Sequence, residues 1–307
     1  MKVLVIGLGS IARKHIAALQ SLKVDAEIYA LRSNLNAVIE EGVENIYNLD
    51  NSTIEFDFAI ISNPTHLHRE FIEKLAHKGI PLFIEKPAIH SLENADELVK
   101  LIEDKKIITY VACNLRFHPC LTFLKNKLEK EIVRINEVNV YCGSYLPDWR
   151  PGKDFRTIYS ANPAMGGGVH LDLFHELDYT QWLFGKPRKV HSLKRNVSSL
   201  NINAFDYANY VLEYEKYTAN VVLNYYRKEA KRVIEIVFDN VTLTIDLIKN
   251  TIVNGYGDLL YNAKDFNIFD TYKNQLEYFI DGLKGNRKQM NTFADSIEVL
   301  KTCLNDE

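Results

Sequence analysis

KVLVIGLGSIARKHIAALQSL, residues 2–22, is the stretch whose reading decides the fold. Lys2 to Ile6 is an apolar run rich in β-branched side chains, which predicts a buried parallel strand. Gly7-Leu8-Gly9-Ser10-Ile11-Ala12 follows at once, and Ile11, His15, Ile16, Leu19 and Leu22 then recur at helical spacing. Strand, Gly-x-Gly-x-x-Ala and helix together make a dinucleotide fingerprint. Gly7 permits the tight turn, Gly9 lets backbone approach a pyrophosphate, and Ala12 is small enough for close helix–strand packing. The first-turn N–H groups, at Ser10 and Ile11, lack partners within the helix and suit the phosphates.

The next strand, Asp25 to Leu31, ends in Arg32-Ser33. A site for NAD usually carries a carboxylate there, to accept from the ribose 2′-hydroxyl. Arg32 can pair with a 2′-phosphate and Ser33 can donate to it, so NADP is favoured over NAD. The alternative is that Arg32 is a solvated loop cation. Glu55 to Ser62 is a further strand, leading into Asn63-Pro64-Thr65-His66-Leu67-His68. Thr65 is placed to cap a helix over His66 to Lys78 that Gly79 closes, and His68 in its first turn can hydrogen-bond a ligand.

Ile80 to Ile84 reads as another buried strand, followed by Glu85-Lys86-Pro87. Charges are costly to bury, so charges at a strand's carboxyl end point to a ligand cleft. A surface salt bridge before a helix-ending proline is the alternative. Ser91 is expected to cap a helix from Leu92 to Asp104, and Ile107 to Ala112 is a last strand before Asn114-Leu115-Arg116-Phe117-His118-Pro119. Strands alternating with 10–15-residue helices specify a doubly wound parallel sheet ending near residue 118.

Beyond it the pattern changes. A helix runs out over Lys125 to Lys130, and strand candidates then come without helices: Ile132 to Tyr145, Tyr207 to Tyr214, Tyr217 to Tyr226, Val233 to Phe238 and Val241 to Leu247. The fold class is therefore α/β: an N-terminal Rossmann sheet over 1–118, and over 119–307 an α+β domain on a large, mainly antiparallel open sheet. One face of that sheet is expected to carry a homo-dimer or homo-tetramer contact. Its tyrosines (Tyr207, Tyr210, Tyr214, Tyr225, Tyr226) suit an interface or a core equally. The tail reads as two helices, Thr271 to Lys284 and Ala294 to Leu304, without chemistry.

Net charge is -3, which excludes the basic excess that binds nucleic acid or anionic lipid. No run reaches the roughly 18 apolar residues of a membrane helix. Residues 1–9 carry no secretory pattern, and the four cysteines form no Cys-x-x-Cys, so a reducing cytoplasm is expected.

GLGSIA at 7, SNPTHLH at 62, EKP at 85, NLRFHP at 114 and GGGVHLDLFHELDYTQWLFG at 166 occur in that order. The set resembles the Gfo/Idh/MocA oxidoreductase family over nearly the whole chain. YLPDWRPGKDFRTIYSANPAMGGG resembles a branch associated with bacterial surface sugars. The resemblance implies that Lys86 sits beside the nicotinamide and hydrogen-bonds the reacting hydroxyl. It implies that Glu85 and Pro87 shape that pocket, that Asn63, Pro64, Thr65 and His68 line the cofactor's path, and that Arg116 lies near the nicotinamide end.

Gly166-Gly167-Gly168 precedes a helix over Val169 to Phe184. Three glycines are costly unless something approaches the backbone closely. Asp172 and His175, three apart, are expected on one face, as a proton acceptor with an aligned carboxylate. The family's commoner spacing is four, which falls on Glu176, so Glu176 competes with His175; a structural role for His175 is also open. His170 and His175 are on different faces and no His-Glu-x-x-His occurs, so no metal is expected. Asn114, Tyr145, Trp149, Arg156 and Tyr159 are the substrate candidates: aromatic faces stack on sugar rings, and Arg captures carboxylate or phosphate. An ordinary surface loop is the alternative for the last four. The implied activity is hydride transfer between nicotinamide and a sugar, sugar derivative or nucleotide sugar. A sugar-sensing regulator and a glycosidase using NAD transiently remain as alternatives.

Overall fold

The computed structural model describes residues 1–22, 24–36, 39–50, 52–130 and 133–305. In chain order the first elements are β1 (Lys2–Ile6), α1 (Ser10–Ser21), β2 (Glu27–Leu31), β3 (Val43–Ile46), β4 (Phe58–Ile61), α2 (His68–His77), β5 (Leu82–Ile84), α3 (Ala95–Asp104) and β6 (Thr109–Val111). There follow α4 (Pro119–Lys130), β7 (Ile135–Tyr145), α5 (Val169–Asp172), α6 (Phe174–Phe184), β8 (Lys189–Arg195), β9 (Tyr207–Glu213) and β10 (Thr218–Asn224). The chain ends with β11 (Tyr226–Phe238), β12 (Thr242–Asp246), β13 (Thr251–Asn254), β14 (Leu259–Asn262), α7 (Ile268–Leu283) and α8 (Phe293–Cys303). Ile132, the expected start of β7, lies outside the described residues.

The chain divides into two compact units: Met1–Asn114 with Asn267–Glu298, and Leu115–Phe266 with Val299–Glu307. A single cut at residue 118 thus differs from the contacts, because α7 belongs with the first unit. Phe279 of α7 is fully buried and meets Phe58 and Phe83 edge-on at 5.2 and 5.5 Å. Those aromatic contacts, distant in sequence, explain why a boundary drawn along the chain misses this return.

In the first unit a six-stranded sheet has the order β3-β2-β1-β4-β5-β6, parallel throughout. β1 is central and buried on both faces, as its apolar run requires. α1 buries Ala12, His15, Ile16 and Leu19, one stripe at helical spacing. β3 has no counterpart in the sequence reading: it is an edge strand with Val43 alone buried, so it lacks the apolar signal. Two caps also differ. Thr65 opens a 3-10 turn (Thr65–Leu67), and α2 begins at His68 without a side-chain cap. Ser91 accepts from the Glu93 N–H, closing a turn, while α3 starts later, at Ala95. Gly79 ends α2 as expected, at φ +76° with Ile80 N–H returning to the Leu75 carbonyl.

In the second unit an eight-stranded sheet runs β14-β13-β12-β11-β7-β10-β9-β8. β7 is parallel to β10 and antiparallel to β11; every other pairing is antiparallel. Along β10, Ala219, Val221 and Leu223 are fully buried while Thr218, Asn220 and Val222 are half-buried, the period of two of a sheet with one covered face. β8, β13 and β14 have no counterpart in the sequence reading, being short or carrying no clear alternation. The expected helix from Val169 to Phe184 is interrupted: Leu173, at φ -94° and ψ 34°, separates α5 from α6. Residues 166–174 are buried on all sides, so no single apolar stripe selects one continuous helix.

Candidate active site

In the first unit the fingerprint turn fits a dinucleotide. Gly7 has φ +83°, and a Cβ there would lie 2.5 Å from the Asn63 Cα, so glycine is what lets the β1 and β4 loops touch. Nothing lies within 4 Å of the position a Gly9 Cβ would take, so the backbone faces open space where a pyrophosphate would approach. Ala12 is fully buried, and α1 carries no side-chain cap over the first-turn N–H groups of Ser10 and Ile11. Ser62 Oγ donates to the Ile6 and Gly7 carbonyls at 3.1 and 3.0 Å and stiffens the same turn. Arg32, half-buried after β2, donates to Asn45 Oδ1 at 3.3 Å, and Ser33 beside it is exposed.

After β5 the chain makes a cis Lys86–Pro87 bond. Between Leu82 and Ile89, Lys86 alone is not buried. Glu85 is turned inward at 9% exposure. His15 Nε2, from α1, donates to Glu85 Oε1 at 2.5 Å, and Glu85 Oε2 accepts the Lys86 N–H at 3.2 Å. Burial alone would push this carboxyl up, but the His15 hydrogen bond and charge, with the Lys86 charge, hold it below the usual range.

His68 is enclosed differently from the sequence expectation. It is 1% exposed, with Nε2 2.8 Å from the Asn63 carbonyl and Nδ1 3.2 Å from both the Pro87 and Ala88 carbonyls. Burial lowers its pKa against the pull of those carbonyls and the Glu85 charge. A ring so enclosed joins two loops rather than presenting an edge to a ligand. Asn114 is likewise turned inward: it is 5% exposed and donates to Thr271 Oγ1 at 2.7 Å, holding the first turn of α7.

In the second unit Asp172, 8% exposed, accepts from Tyr225 Oη at 2.5 Å and from the Tyr159 phenol. Burial first, then the Asp172 charge, raises the pKa of both phenols, so both stay protonated and donate. Trp149 stacks edge-on against Tyr225 at 5.3 Å and donates Nε1–H to Ser144 at 3.0 Å. Arg150 lies 5.3 Å from the Tyr159 ring. The loop 145–159 and Asp172 therefore converge through tyrosines. Tyr145, half-buried, lies 5.9 Å from the Lys228 ammonium, and Arg156, exposed, lies over Phe155 and 3.7 Å from Asp154.

Glu176 is fully buried and accepts from Arg232 Nε at 2.6 Å; His175 is half-buried. From Gly166 to Thr180, His175 alone is not buried. Of the two competing residues, His175 is the one that keeps exposed surface, while its Nδ1 is buried. The triple glycine is explained internally: a Cβ at Gly167 would lie 2.0 Å from the Tyr159 carbonyl, so the close approach is by this chain's own backbone. Arg116 is 7% exposed and spends Nε and Nη2 on Asp178 at 2.9 and 2.7 Å, with Trp182 5.8 Å away.

Residues 1–113 match the family model described as oxidoreductase family, NAD-binding Rossmann fold, and residues 128–244 match the GFO/IDH/MocA C-terminal domain. The chain belongs to the Gfo/Idh/MocA family. It is 24% identical over 169 residues to 2,7-anhydro-N-acetylneuraminate hydratase of Mediterraneibacter gnavus, covering 55% of this chain and 43% of the relative. A levoglucosan dehydrogenase complex with NADH superposes with TM-score 0.86 at 16% identity over 99% of this chain and 95% of that one. The WlbA dehydrogenase of Bordetella pertussis, in complex with NADH and UDP-GlcNAcA, superposes with TM-score 0.80 at 17% identity over 98% and 92%. Matches to the first curated relatives span only 34% to 60% of their length.

As a Gfo/Idh/MocA chain, it carries three site partners that sequence reasoning missed: His15, Tyr225 and Asp178. His15 was visible only as one position of a helical stripe. Tyr225 lay among tyrosines assigned to interface or core. Asp178, three residues after His175, offered a spacing signal that pointed to Arg116 only once the fold was known.

Proposed function

We propose that this chain is an NAD(P)-dependent sugar oxidoreductase. One observation carries the reading: in each of two buried stretches a single titratable side chain reaches the surface, Lys86 in one and His175 in the other. Gly9, Ser10 and Ile11 would hold the pyrophosphate, Arg32 and Ser33 the adenosine ribose phosphate, and Asn63, Pro64, Thr65 and Pro87 the path to the nicotinamide. Bound nicotinamide would supply the hydride chemistry. Lys86 and His175 hold and move the proton at the reacting hydroxyl oxygen, and Asp172, kept in place by two phenols, orients a substrate hydroxyl or the imidazole. Trp149 and Tyr159 stack on the sugar. The substrate is a sugar or nucleotide sugar, in line with the levoglucosan and UDP-GlcNAcA named for the structural neighbours, and the role proposed for it is in surface-glycan synthesis.

Lys86→Ala should lower turnover by about 100-fold or more while nucleotide affinity stays close to the parent. Near-normal turnover would refute the reading. Titration with NADPH and NADH, read by nicotinamide fluorescence, tests the cofactor preference. Tighter NADPH binding that Arg32→Ala abolishes supports NADP, and an NADH preference overturns it. The half-buried face of the second sheet, with Asn139, Tyr141, Val211, Asn220 and Val222, is proposed to pair copies of this chain; a monomer in sedimentation at micromolar concentration would exclude that.

A second reading is an NAD-dependent glycosidase, in which bound NAD would take a hydride from the sugar and return it within one turnover; a relative named as a hydratase, a reaction with no net redox change, is in line with it. It predicts product without net change in nicotinamide absorbance.

A further inference from the structure

Lys86 stands between two buried histidines that the function above does not use. His15 is fully buried on α1, the helix whose N-terminus forms the fingerprint turn. Its ring lies edge-on to Phe83 at 5.0 Å and tilted to Tyr272 at 5.8 Å, so it cannot swing away from Glu85. Glu85 passes the constraint on, one oxygen taken by His15 and the other by the Lys86 N–H. On the far side His68, at the start of α2, reaches the carbonyls of Pro87 and Ala88 with one nitrogen and that of Asn63 with the other. Asn63 in turn rests against Gly7. The residue before Lys86 and the two after it are thus each held by an imidazole, and both imidazoles lead back to the dinucleotide turn.

We propose that His15 and His68 are positioning residues that hold Lys86 from its two sides and register it against the fingerprint turn of β1 and α1. The proposal rests on the reading of Lys86 as the residue that handles the hydroxyl proton. Neither histidine touches substrate. Each acts by removing backbone freedom from one short loop, and misplacing a reacting group by about 1 Å costs up to roughly 100-fold in rate.

The test uses the full chain with His15→Phe, His15→Gln, His68→Leu and His68→Gln. Phe and Leu remove the polar contact; Gln restores a donor in each place. The Phe and Leu variants should lose about tenfold in kcat, with KM for the sugar and Kd for the nicotinamide cofactor near the parent, and Gln should recover most of the loss. A readout independent of turnover is the acylation of Lys86 by a succinimidyl reagent, followed by peptide mapping without cofactor. It should rise several-fold at Lys86 in the Phe and Leu variants and stay level at Lys74 and Lys100. If His15→Phe fails to fold, Glu85→Gln, which keeps the shape and removes the charge, should show the same kcat loss and acylation change. Parental kcat and acylation in the Phe and Leu variants, while Lys86→Ala is inactive, overturn the clamp and leave the function standing. An active Lys86→Ala overturns the function instead.

Discussion

The loop around Lys86 and the segment around His175 solve one problem with opposite chemistry. Each presents a single titratable side chain with exposed surface from a stretch otherwise buried. Around Lys86 the neighbours are held by imidazoles, one on the Glu85 carboxylate and one on backbone carbonyls. Around His175 they are held through three carboxylates: Asp172 takes phenols, Glu176 takes Arg232 and Asp178 takes Arg116. A short loop after a strand has carbonyls that need donors, and a histidine supplies one from a compact ring. A helix satisfies its own backbone, so its position must be set through side chains, and buried carboxylates paired with Arg or Tyr set it firmly.

The largest effect is expected at His175. His175→Asn keeps a hydrogen-bonding group and removes the base, so kcat should fall by about 100-fold or more with folding unchanged; parental turnover would make the segment a structural element. Next comes Asp178→Asn, which leaves the buried Arg116 guanidinium without its charge partner. Breaking such a pair costs about 3–5 kcal/mol, so the denaturant midpoint should drop sharply, and an unchanged midpoint would show that the carboxylates do not hold the segment.

The smallest effect is on pH. The folded His68 ring titrates below the ordinary 6.5, so in that window the unfolded chain binds more protons and stability rises with pH. His118, lowered by burial, adds to the same slope. Glu85 is lowered from 4.5, so its contribution is present above that value and lost as pH falls further. The melting temperature should therefore be level above about pH 7 and decline in two stages below it. A first stage that survives His68→Gln would move the cause away from the Lys86 loop.

Much of the fold was legible because its signals are local. β1, the glycine turn and the helical spacing of Ile11, His15, Ile16, Leu19 and Leu22, of which His15, Ile16 and Leu19 are buried, can be read within about twenty residues. The edge strands β3 and β8 were not, because a strand with one or no buried side chain carries no apolar pattern. The break at Leu173 was hidden for the opposite reason: where every residue is buried, periodicity has nothing to contrast. Lys86, Asp172, His175, Trp149 and Tyr159 were singled out by residue type and motif. That His68 and Asn114 face inward was not, since burial depends on what packs around them.

The sequence by itself determined the parallel sheet, the dinucleotide turn and the family, since each rests on order and spacing along the chain. Only the tertiary structure decided that α7 returns to the first unit, that Glu176 is spent on Arg232 while His175 keeps exposed surface, and that His15 closes on Glu85. Those are pairings across 56 to 70 residues of chain or more, and no local preference encodes a partner at that distance.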